Sequence, residues 1–320
     1  MTILEARDRA GTFVLHAFDE QLADLGEIRM NYATAGSPDL PALLLVPGQT
    51  ESWWGYELAM PMLAEHFQVF AVDLRGQGRS TWTPGRYTLD NMGNDLSRFI
   101  DLVIGRPVTV SGNSSGGVLA AWLSAYGKPG QVSGAVLEDP PLFACELHPS
   151  CGQSIREGLG PVFAMWTKWL GDQWSIGDWN GMQAAAPSEL PRWMMAAMIG
   201  MRLGEGPGSD GVPQNMKEYD PEWASAFYSG MATESCDMAA MLASVRTPVL
   251  FTHHFRAVDG DTGAILGAIA DEQADRAREL IAGAGQPCAY VSLPQMAHAM
   301  HRHDPALFTT TVTEWALKGE

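Results

Sequence analysis

The stretch Val108–Gly117, which reads VTVSGNSSGG, decides the fold. Its β-branched first half is typical of a strand, and its second half places two adjacent serines among three glycines. A helical pattern, Gly117–Tyr126, follows directly. A buried strand, a tight turn and a helix in that order favour a turn that presents either a phosphate-binding loop or a reactive hydroxyl.

The spacing of the glycines distinguishes these two interpretations. Gly112-Asn113-Ser114-Ser115-Gly116 fits the pattern G-x-S-x-G. Glycines two residues before and after the central serine allow a sharp, strained turn that exposes its hydroxyl. Ser114 meets this condition, whereas Ser115 has Asn113 two residues before it. We therefore predict Ser114 as the nucleophile. We expect the Ser115 N–H, at the positive end of the helix, to help bind an oxyanion.

A phosphate site fits the stretch poorly. A P-loop requires G-x-x-x-x-G-K-[ST], and the stretch contains no lysine. Its glycines do not form G-x-G-x-x-G either. A tight turn with no catalytic role would show the same letters, so the interpretation depends on whether a base and an acid accompany Ser114.

Short apolar runs bounded by Gly, Pro or Asp recur on both sides of this stretch. Runs that are apolar at nearly every position are typical of strands buried on both faces, and hence of a mostly parallel sheet. Helical patterns such as Asn91–Ile104 and Asp271–Ala282 alternate with them, so we predict a doubly wound α/β fold. The predicted strands are Ile28–Ala33, Ala42–Val46, Val69–Asp73, Val108–Ser111, Ala135–Asp139, Val249–His253 and Ala289–Leu293.

The alternation stops in the segment 142–242. This segment is rich in Trp and Met and has Gly/Pro-rich joints, of which Gly204–Pro213 is the clearest. We predict that it forms an inserted helical cap on an α/β core made of residues 1–141 and 243–320. Trp and Met suit a large, flat, apolar ligand, although most of them would also serve as the core of the cap itself.

A serine hydroxyl is a poor nucleophile unless a base accepts its proton. His298 is the predicted base, because it opens the loop between the last predicted strand and the final helical pattern. His301 and His303 are alternatives, although both are also typical of solvated residues at a helix start. Three closely spaced histidines would suit zinc, but no carboxylate motif frames them, and we predict no metal.

The acid has two candidate positions. Asp139 ends a predicted strand and should reach the same sheet edge as Ser114, so we predict it as the acid. Glu138 is an alternative, but alternation along a strand turns only one of the two toward the histidine, and Glu138 is otherwise expected to be a cap or rim contact. Asp259 is a second alternative in a Gly-rich turn, where Asp is common for turn geometry alone.

The second oxyanion donor should come from the loop after the early strand Ala42–Val46, because that loop lies beside the nucleophile turn. We predict the backbone N–H of Gln49 as this donor. Gly48 is expected to allow close approach at the site and is a candidate substrate contact.

The bulk properties exclude several classes of protein. The chain has 320 residues and a net charge of -17, so binding to nucleic acid or an anionic membrane surface is disfavoured. Four cysteines without metal-like spacing favour free thiols in a reducing compartment. The charged start, MTILEARDRAG, does not resemble a signal peptide, and no apolar run is long enough to span a membrane. We expect a cytoplasmic protein, with a homodimer possible and no cofactor.

Together these residues resemble the α/β-hydrolase superfamily. The turn Asp73–Ser80, DLRGQGRS, looks like the D-x-R-G-x-G-x-S turn of that superfamily, and it accompanies the G-x-S-x-G turn, Asp139 and the late His298. The resemblance implies an α/β-hydrolase fold with a Ser-His-acid triad.

More closely, the chain is similar to the zearalenone hydrolases, which open a macrocyclic resorcylic acid lactone. Pro221–Ala224, PEWA, matches a P-x-W-A motif whose tryptophan packs on the substrate, which implies that role for Trp223, and Phe227 is a further candidate contact. The acid of the fungal members is Glu, and Asp139 stands in that slot. The similar stretches are Gln49–Trp54, Phe70–Tyr87, Gly112–Tyr126, Leu170–Trp179 (which contains GDQWSIGDW), Gln214–Trp223 and Thr247–His254.

The predicted function is therefore hydrolysis of such a lactone through an acyl-enzyme. Two alternatives use the same residues. The chain could be an esterase or carbon–carbon bond hydrolase for another aromatic substrate, or a non-catalytic binding protein on a hydrolase fold. A substrate panel separates the first alternative, and trapping of Ser114 with multiple turnover separates the second.

Overall fold

The computed structural model describes residues 12–154, 156–170, 177–202 and 211–317. The N-terminal stretch MTILEARDRA, most of the string GDQWSIGDW and most of the predicted loop Gly204–Pro213 lie outside these residues. In the described part of the chain, no helix is long and apolar enough to cross a bilayer.

Among the residues that the structure describes, eight strands form one sheet, in the order β1-β2-β4-β3-β5-β6-β7-β10. Strand β1 pairs antiparallel with β2, and β2 pairs antiparallel with β4, while every other neighbouring pair is parallel. This arrangement confirms the predicted mostly parallel sheet. The strands are β1 Glu20–Asp24, β2 Arg29–Ala35, β3 Ala42–Val46, β4 Gln68–Val72, β5 Val108–Asn113, β6 Val132–Glu138, β7 Val249–His253, β8 Arg256–Val258, β9 Ile265–Gly267 and β10 Cys288–Ser292.

The helices cover both faces of this sheet. A 3-10 turn, Trp53–Tyr56, precedes the first of them, and a π-helical turn, Ile100–Ile104, extends the second. The helices are α1 Met60–Leu63, α2 Leu89–Phe99, α3 Ser115–Tyr126, α4 Gly160–Trp169, α5 Trp179–Glu189, α6 Arg192–Gly200, α7 Gln214–Lys217, α8 Glu222–Ser229, α9 Met238–Leu242, α10 Asp271–Gly283, α11 Met300–His303 and α12 Pro305–Leu317.

The pattern of burial explains why the central strands are apolar at every position. All five residues of β3 are buried, and they divide between two hydrophobic clusters. Leu44 and Val46 belong to the cluster with α2, α3 and the helices of the 142–242 segment. Leu43 and Leu45 belong to the cluster with α1 and α12. Alternate side chains of a strand point to opposite faces, so a strand covered on both faces needs apolar residues throughout.

Helix α2 begins two residues before its predicted start. The Thr88 hydroxyl accepts a hydrogen bond from Asn91 N at 3.2 Å and caps the helix. The helix continues through the π-helical turn to Ile104, as the apolar pattern predicted, and Gly105 ends it with φ 67°.

Two short elements were not predicted. Strand β1 lies at the edge of the sheet and contains no buried residue, so its sequence has no apolar run. The region around Asp259, predicted as a Gly-rich turn, is the tip of an antiparallel hairpin formed by β8 and β9. Neither strand of this hairpin contains a buried residue, so hydrophobic patterning gives no signal there.

The segment 142–242 adds no strand to the sheet among its described residues. Its described residues contribute six helices between β6 and β7, and α4 packs against α8. Phe163 and Trp223 belong to the first hydrophobic cluster, and Trp166 packs against it. The division of the chain into core and cap stays a prediction. Strands β6 and β7 are parallel neighbours, so they end at the same edge of the sheet. The segment 142–242 leaves the sheet at this edge, after β6.

Candidate active site

Ser114 occupies a strained turn between β5 and α3. Its φ is 54° and its ψ is -122°, a region that residues with a side chain rarely adopt. A Cβ on Gly112 would lie 2.0 Å from Gly116 O, and a Cβ on Gly116 would lie 2.3 Å from Val46 O. Only glycine fits at either position. The turn therefore needs the two glycines that the sequence pattern specified.

Two backbone N–H groups border the turn. Gly48 lies directly against it, because a Cβ at this position would come within 3.0 Å of Ser114 Cβ and of Asn113 Oδ1. The next residue is Gln49, and Ser115 begins α3. No described residue accepts a hydrogen bond from the N–H of Gln49 or of Ser115. Binding of an oxyanion by these two N–H groups stays a prediction.

The predicted base and acid are in contact. His298 Nδ1 lies 2.6 Å from Asp139 Oδ2, and both side chains are buried. Asp139 is the first residue after β6 and has φ 44°, and its Oδ1 accepts a hydrogen bond from His254 N at 2.9 Å. The amide of Asn113, next to Ser114, donates to His298 O at 3.0 Å. The structure therefore brings Ser114, His298 and Asp139 to one edge of the sheet.

The charges of this pair stabilise each other. Burial alone lowers the pKa of His298, but the hydrogen bond and charge of Asp139, with the charges of Glu51 and Glu138, raise it above its ordinary value. Burial alone raises the pKa of Asp139, but the imidazoles of His254 and His298 lower it below its usual value. A carboxylate that favours the imidazolium form suits a histidine that must take a proton during a reaction.

Glu138 binds a different histidine. Its Oε2 and Oε1 lie 2.9 Å and 3.0 Å from His301 Nδ1, and both side chains are fully buried. Two sequence expectations are therefore wrong: Glu138 is not a rim contact, and His301 is not a solvated residue at a helix start. The alternation argument holds, since the two consecutive carboxylates face two different imidazoles. The fully buried His301 cannot take the place of His298 beside a substrate.

The remaining alternatives lie apart from His298. Asp259 Oδ1 accepts hydrogen bonds from Thr262 N and Oγ1 at 2.9 Å and 2.7 Å, so it stabilises its own turn. His303 is exposed and lies beside Arg202. The three closely spaced histidines thus have three different partners. Among the described residues, no group of three or more His, Cys, Asp or Glu side chains is arranged to hold a metal.

Comparisons with known proteins agree with this architecture. A protein-family model described as the alpha/beta hydrolase fold matches residues 41–174. The enol-lactonase of Burkholderia xenovorans, a solved structure, superposes with a TM-score of 0.64 over 92% of this chain and 99% of that one, at 19% identity. A hydrolase from Pseudomonas aeruginosa superposes with a TM-score of 0.63 over 94% and 100%, at 20% identity.

The chain has the α/β-hydrolase fold.

Curated relatives match only part of the chain. A 3-oxoadipate enol-lactonase of Acinetobacter baylyi is 31% identical over 102 residues, which are 31% of this chain and 38% of that protein. An epoxide hydrolase of Caenorhabditis elegans is 26% identical over 133 residues, which are 41% and 33%. The chain therefore spans between a third and two fifths of the length of these relatives.

The Asp73–Ser80 turn has a structural role within this α/β-hydrolase fold. A Cβ on Gly78 would lie 2.0 Å from Asp73 Oδ2, and Asp73 accepts hydrogen bonds from Trp53 N and Arg79 N. Burial raises the pKa of Asp73 to about 7. The turn packs tightly around this buried carboxyl and fixes the chain that follows β4.

The two predicted aromatic substrate contacts are buried. Trp223 is 0% exposed, and its Nε1 donates to Arg75 O at 2.8 Å. Its ring packs against Tyr87 and Phe227, with centroids 5.8 Å and 6.1 Å away, and Phe227 is 2% exposed. In this structure both rings belong to the hydrophobic core rather than to an open wall. Substrate contact by either of them stays a prediction.

Sequence reasoning missed the residues that hold two loops: the predicted oxyanion loop, which follows β3 and contains Gly48 and Gln49, and the histidine loop, which precedes α11 and contains Ala297 and His298. Gln77 Nε2 donates to Gly48 O at 3.0 Å, and the side chain of Gln49 donates to the Tyr219 hydroxyl at 2.6 Å. His254 Nδ1 lies 2.9 Å from Ala297 O, beside His298. These contacts join residues that are far apart in the chain, so no local sequence pattern predicts them.

Proposed function

We propose that this chain is a serine hydrolase that cleaves the ester bond of an apolar aromatic lactone. The substrate class is the macrocyclic resorcylic acid lactones, of which zearalenone is the reference compound. The observation that carries the proposal is the 2.6 Å contact between His298 and Asp139 at the sheet edge where Ser114 occupies its strained turn. This is the arrangement that activates a serine for attack on a carbonyl.

The proposed reaction has two acyl-transfer steps. Ser114 Oγ attacks the lactone carbonyl carbon while His298 Nε2 accepts the hydroxyl proton, and the carbonyl oxygen becomes an oxyanion. The N–H groups of Gln49 and Ser115 stabilise this oxyanion, an interaction worth roughly 3–4 kcal/mol per donor in such sites. His298 then donates its proton to the leaving alkoxide, and the carbonyl carbon remains bonded to Ser114 as an ester.

Water completes the second step. His298 removes a proton from a water molecule, whose oxygen attacks the acyl carbon, and the Ser114 oxygen leaves and regains the proton. Asp139 keeps the His298 tautomer that has its proton on Nδ1, so that Nε2 stays free to accept. The products are the acid and alcohol ends of the opened ring. These side chains and water account for every atom of the reaction.

A serine nucleophile favours esters over epoxides, although both substrate classes occur among the named relatives. Attack of Ser114 on an epoxide would form an alkyl ether, which water does not hydrolyse under mild conditions, so the enzyme would stop after one event. Attack on an ester forms an acyl-enzyme that water can cleave. The enol-lactonase relatives support a cyclic ester as the substrate.

A panel of substrates tests the proposal. A resorcylic macrolactone, a small enol lactone, a simple aryl ester, a vinylogous diketone and an aryl epoxide are compared under multiple turnover. We expect the highest kcat/KM for the macrolactone, a lower value for the small esters, and no turnover of the epoxide. A preference for the diketone would assign a carbon–carbon bond hydrolase instead, and binding without turnover of any compound would assign a non-catalytic protein.

A further inference from the structure

Close to the His298–Asp139 pair, a second buried imidazole lies between two carboxylates. His301 Nδ1 is 2.9 Å from Glu138 Oε2, and His301 Nε2 is 3.4 Å from Glu51 Oε2. The side chains of His301 and Glu138 are completely buried and that of Glu51 is 10% exposed. The reaction proposed above uses none of the three, so their burial needs another explanation.

Each member of this array belongs to a different segment of the site. The backbone oxygen of Glu138 accepts the Ser114 N–H at 2.8 Å, so it anchors the nucleophile turn. Glu51 closes the predicted oxyanion loop, because its N–H donates to Gly48 O at 3.3 Å. His301 lies three residues after His298, in helix α11 at the end of the same loop, and its backbone N–H donates to Glu138 Oε1 at 3.0 Å.

We propose that His301 is a positioning residue whose imidazolium ties the nucleophile turn, the oxyanion loop and the histidine loop together. The proposal rests on the proposed function, since it concerns the same site. Protonated His301 donates a hydrogen bond from Nδ1 to Glu138 and places its charged Nε2–H beside Glu51, at an ion-pair distance of 3.4 Å without a formed hydrogen bond. A neutral His301 carries a proton on only one ring nitrogen. The carboxylate beside the other nitrogen would then be buried next to the lone pair of that nitrogen.

The two carboxylates beside the ring favour the imidazolium. Tyr56 stacks on it with ring centroids 4.1 Å apart, and Phe308 meets it edge-on at 5.8 Å. The guanidinium of Arg302 lies 3.3 Å from Glu51 Oε1. Burial alone lowers the pKa of His301, but the charges and hydrogen bonds of Glu138 and Glu51 raise it to about 9. Burial alone raises the pKa of Glu51, but His301 and Arg302 lower it to about 2.

This arrangement predicts a second pH limit on the reactivity of Ser114. The site is fully assembled while His301 is protonated, and it loosens as the pH rises through about 9. A residue that only filled space would show no such limit. The pH dependence is therefore the readout that separates positioning by charge from simple packing.

The test uses the full chain and two measurements that need no substrate. The first is the imidazole C2–H proton shift of His301 against pH, assigned by its absence in His301→Gln. The second is the rate at which a fluorophosphonate labels Ser114 at pH 7 to 10. The variants are His301→Gln and Glu51→Gln, and His303→Gln is the matched control, because His303 is exposed on the same helix α11.

We expect His301 to titrate near pH 9 and the labelling rate to fall over the same range. His301→Gln should slow labelling at pH 7.5 by between about tenfold and 100-fold and remove the alkaline limit. Glu51→Gln should move both the titration and the alkaline limit to lower pH. His303→Gln should match the unmodified chain.

Three results would overturn the proposal: an ordinary His301 titration near pH 6.5, labelling by folded His301→Gln at the unmodified rate, or an alkaline limit that Glu51→Gln does not move. If His301→Gln does not fold, the Glu51→Gln arm alone decides, because it keeps the imidazole in place. Failure of the proposed function is a distinct result. In that case no ester is turned over, while the titration and the labelling still report on His301.

Discussion

Asp139→Asn should distinguish the role of Asp139 from that of the adjacent Glu138 more clearly than any other change. Asp139 Oδ1 accepts the His254 N–H at 2.9 Å, and Oδ2 faces His298 Nδ1 at 2.6 Å. In an asparagine the carbonyl oxygen must stay toward His254 N–H, because two donors cannot face each other. The amide N–H₂ then faces His298 Nδ1 and donates to it. This forces the His298 proton onto Nε2, the nitrogen that should accept from Ser114.

The expected magnitude follows from this tautomer. A base with its accepting nitrogen blocked loses about 10⁴ in kcat, the effect of the same change in serine hydrolases with a buried acid. This corresponds to about 5.5 kcal/mol of transition-state stabilisation. The pKa of His298 should also fall, since burial lowers it and the main opposing effect of Asp139 is gone. The acid limb of the pH profile should therefore move to lower pH in the variant.

Ester turnover against pH measures both effects, and Glu138→Gln is the matched control. Glu138 differs from Asp139 by one position, but it binds His301 and not His298. Its amide variant should lose at most about 100-fold, through loosening of the site and not through the tautomer of His298. Thermal unfolding confirms that both variants are folded. A larger loss in Glu138→Gln than in Asp139→Asn would refute the assignment of Asp139 as the acid.

Three further predictions concern the site and its support. The raised pKa of His298 places the acid limb of kcat/KM above pH 6.5, because only the neutral imidazole accepts a proton; a limb below pH 6 would contradict this. Gly116→Ala should prevent folding of the turn, because the added Cβ would lie 2.3 Å from a backbone oxygen. Gly283→Ala is the control: its added Cβ would have no atom within 4 Å, so the unfolding free energy should change by less than about 0.5 kcal/mol. Arg75→Met leaves the buried Asp95 without the guanidinium that now contacts its two oxygens at 2.6 Å and 2.8 Å. Denaturant unfolding should show that the free energy of unfolding falls by about 3–5 kcal/mol. An unchanged midpoint would contradict a stabilising role for the pair.

The parts of the fold that could be predicted from the sequence are those with a local signal. Strand β5 and helix α3 follow from a β-branched run, a glycine-spaced turn and an apolar helix, because the turn itself admits only glycine at two positions. The buried strands β3 and β7 follow from continuous apolar runs. Strand β1 and the β8–β9 hairpin contain no buried residue and each pairs with a neighbouring strand along the chain, so their own residues give no apolar pattern from which to predict them.

The same distinction applies to the site. His298 and Asp139 were predicted from their order along the chain and from the strand end, and the structure brings them into contact. The Glu138–His301 contact was not predicted, because its two members lie 163 residues apart and each has an ordinary solvated interpretation on its own. A buried polar group is recognisable only when its partner is known, and the partner is set by topology.

The most direct test of the account is kcat/KM for ester hydrolysis by Ser114→Ala, with Ser115→Ala as the matched control. The two serines are adjacent, and we predict a role only for the backbone N–H of Ser115, whose hydroxyl has no hydrogen-bond partner among the described residues. We predict that Ser114→Ala loses about 10⁶-fold, close to the whole of the triad's contribution, and that Ser115→Ala stays within about tenfold of the unmodified chain. Retention of ester cleavage by folded Ser114→Ala would contradict the proposed mechanism.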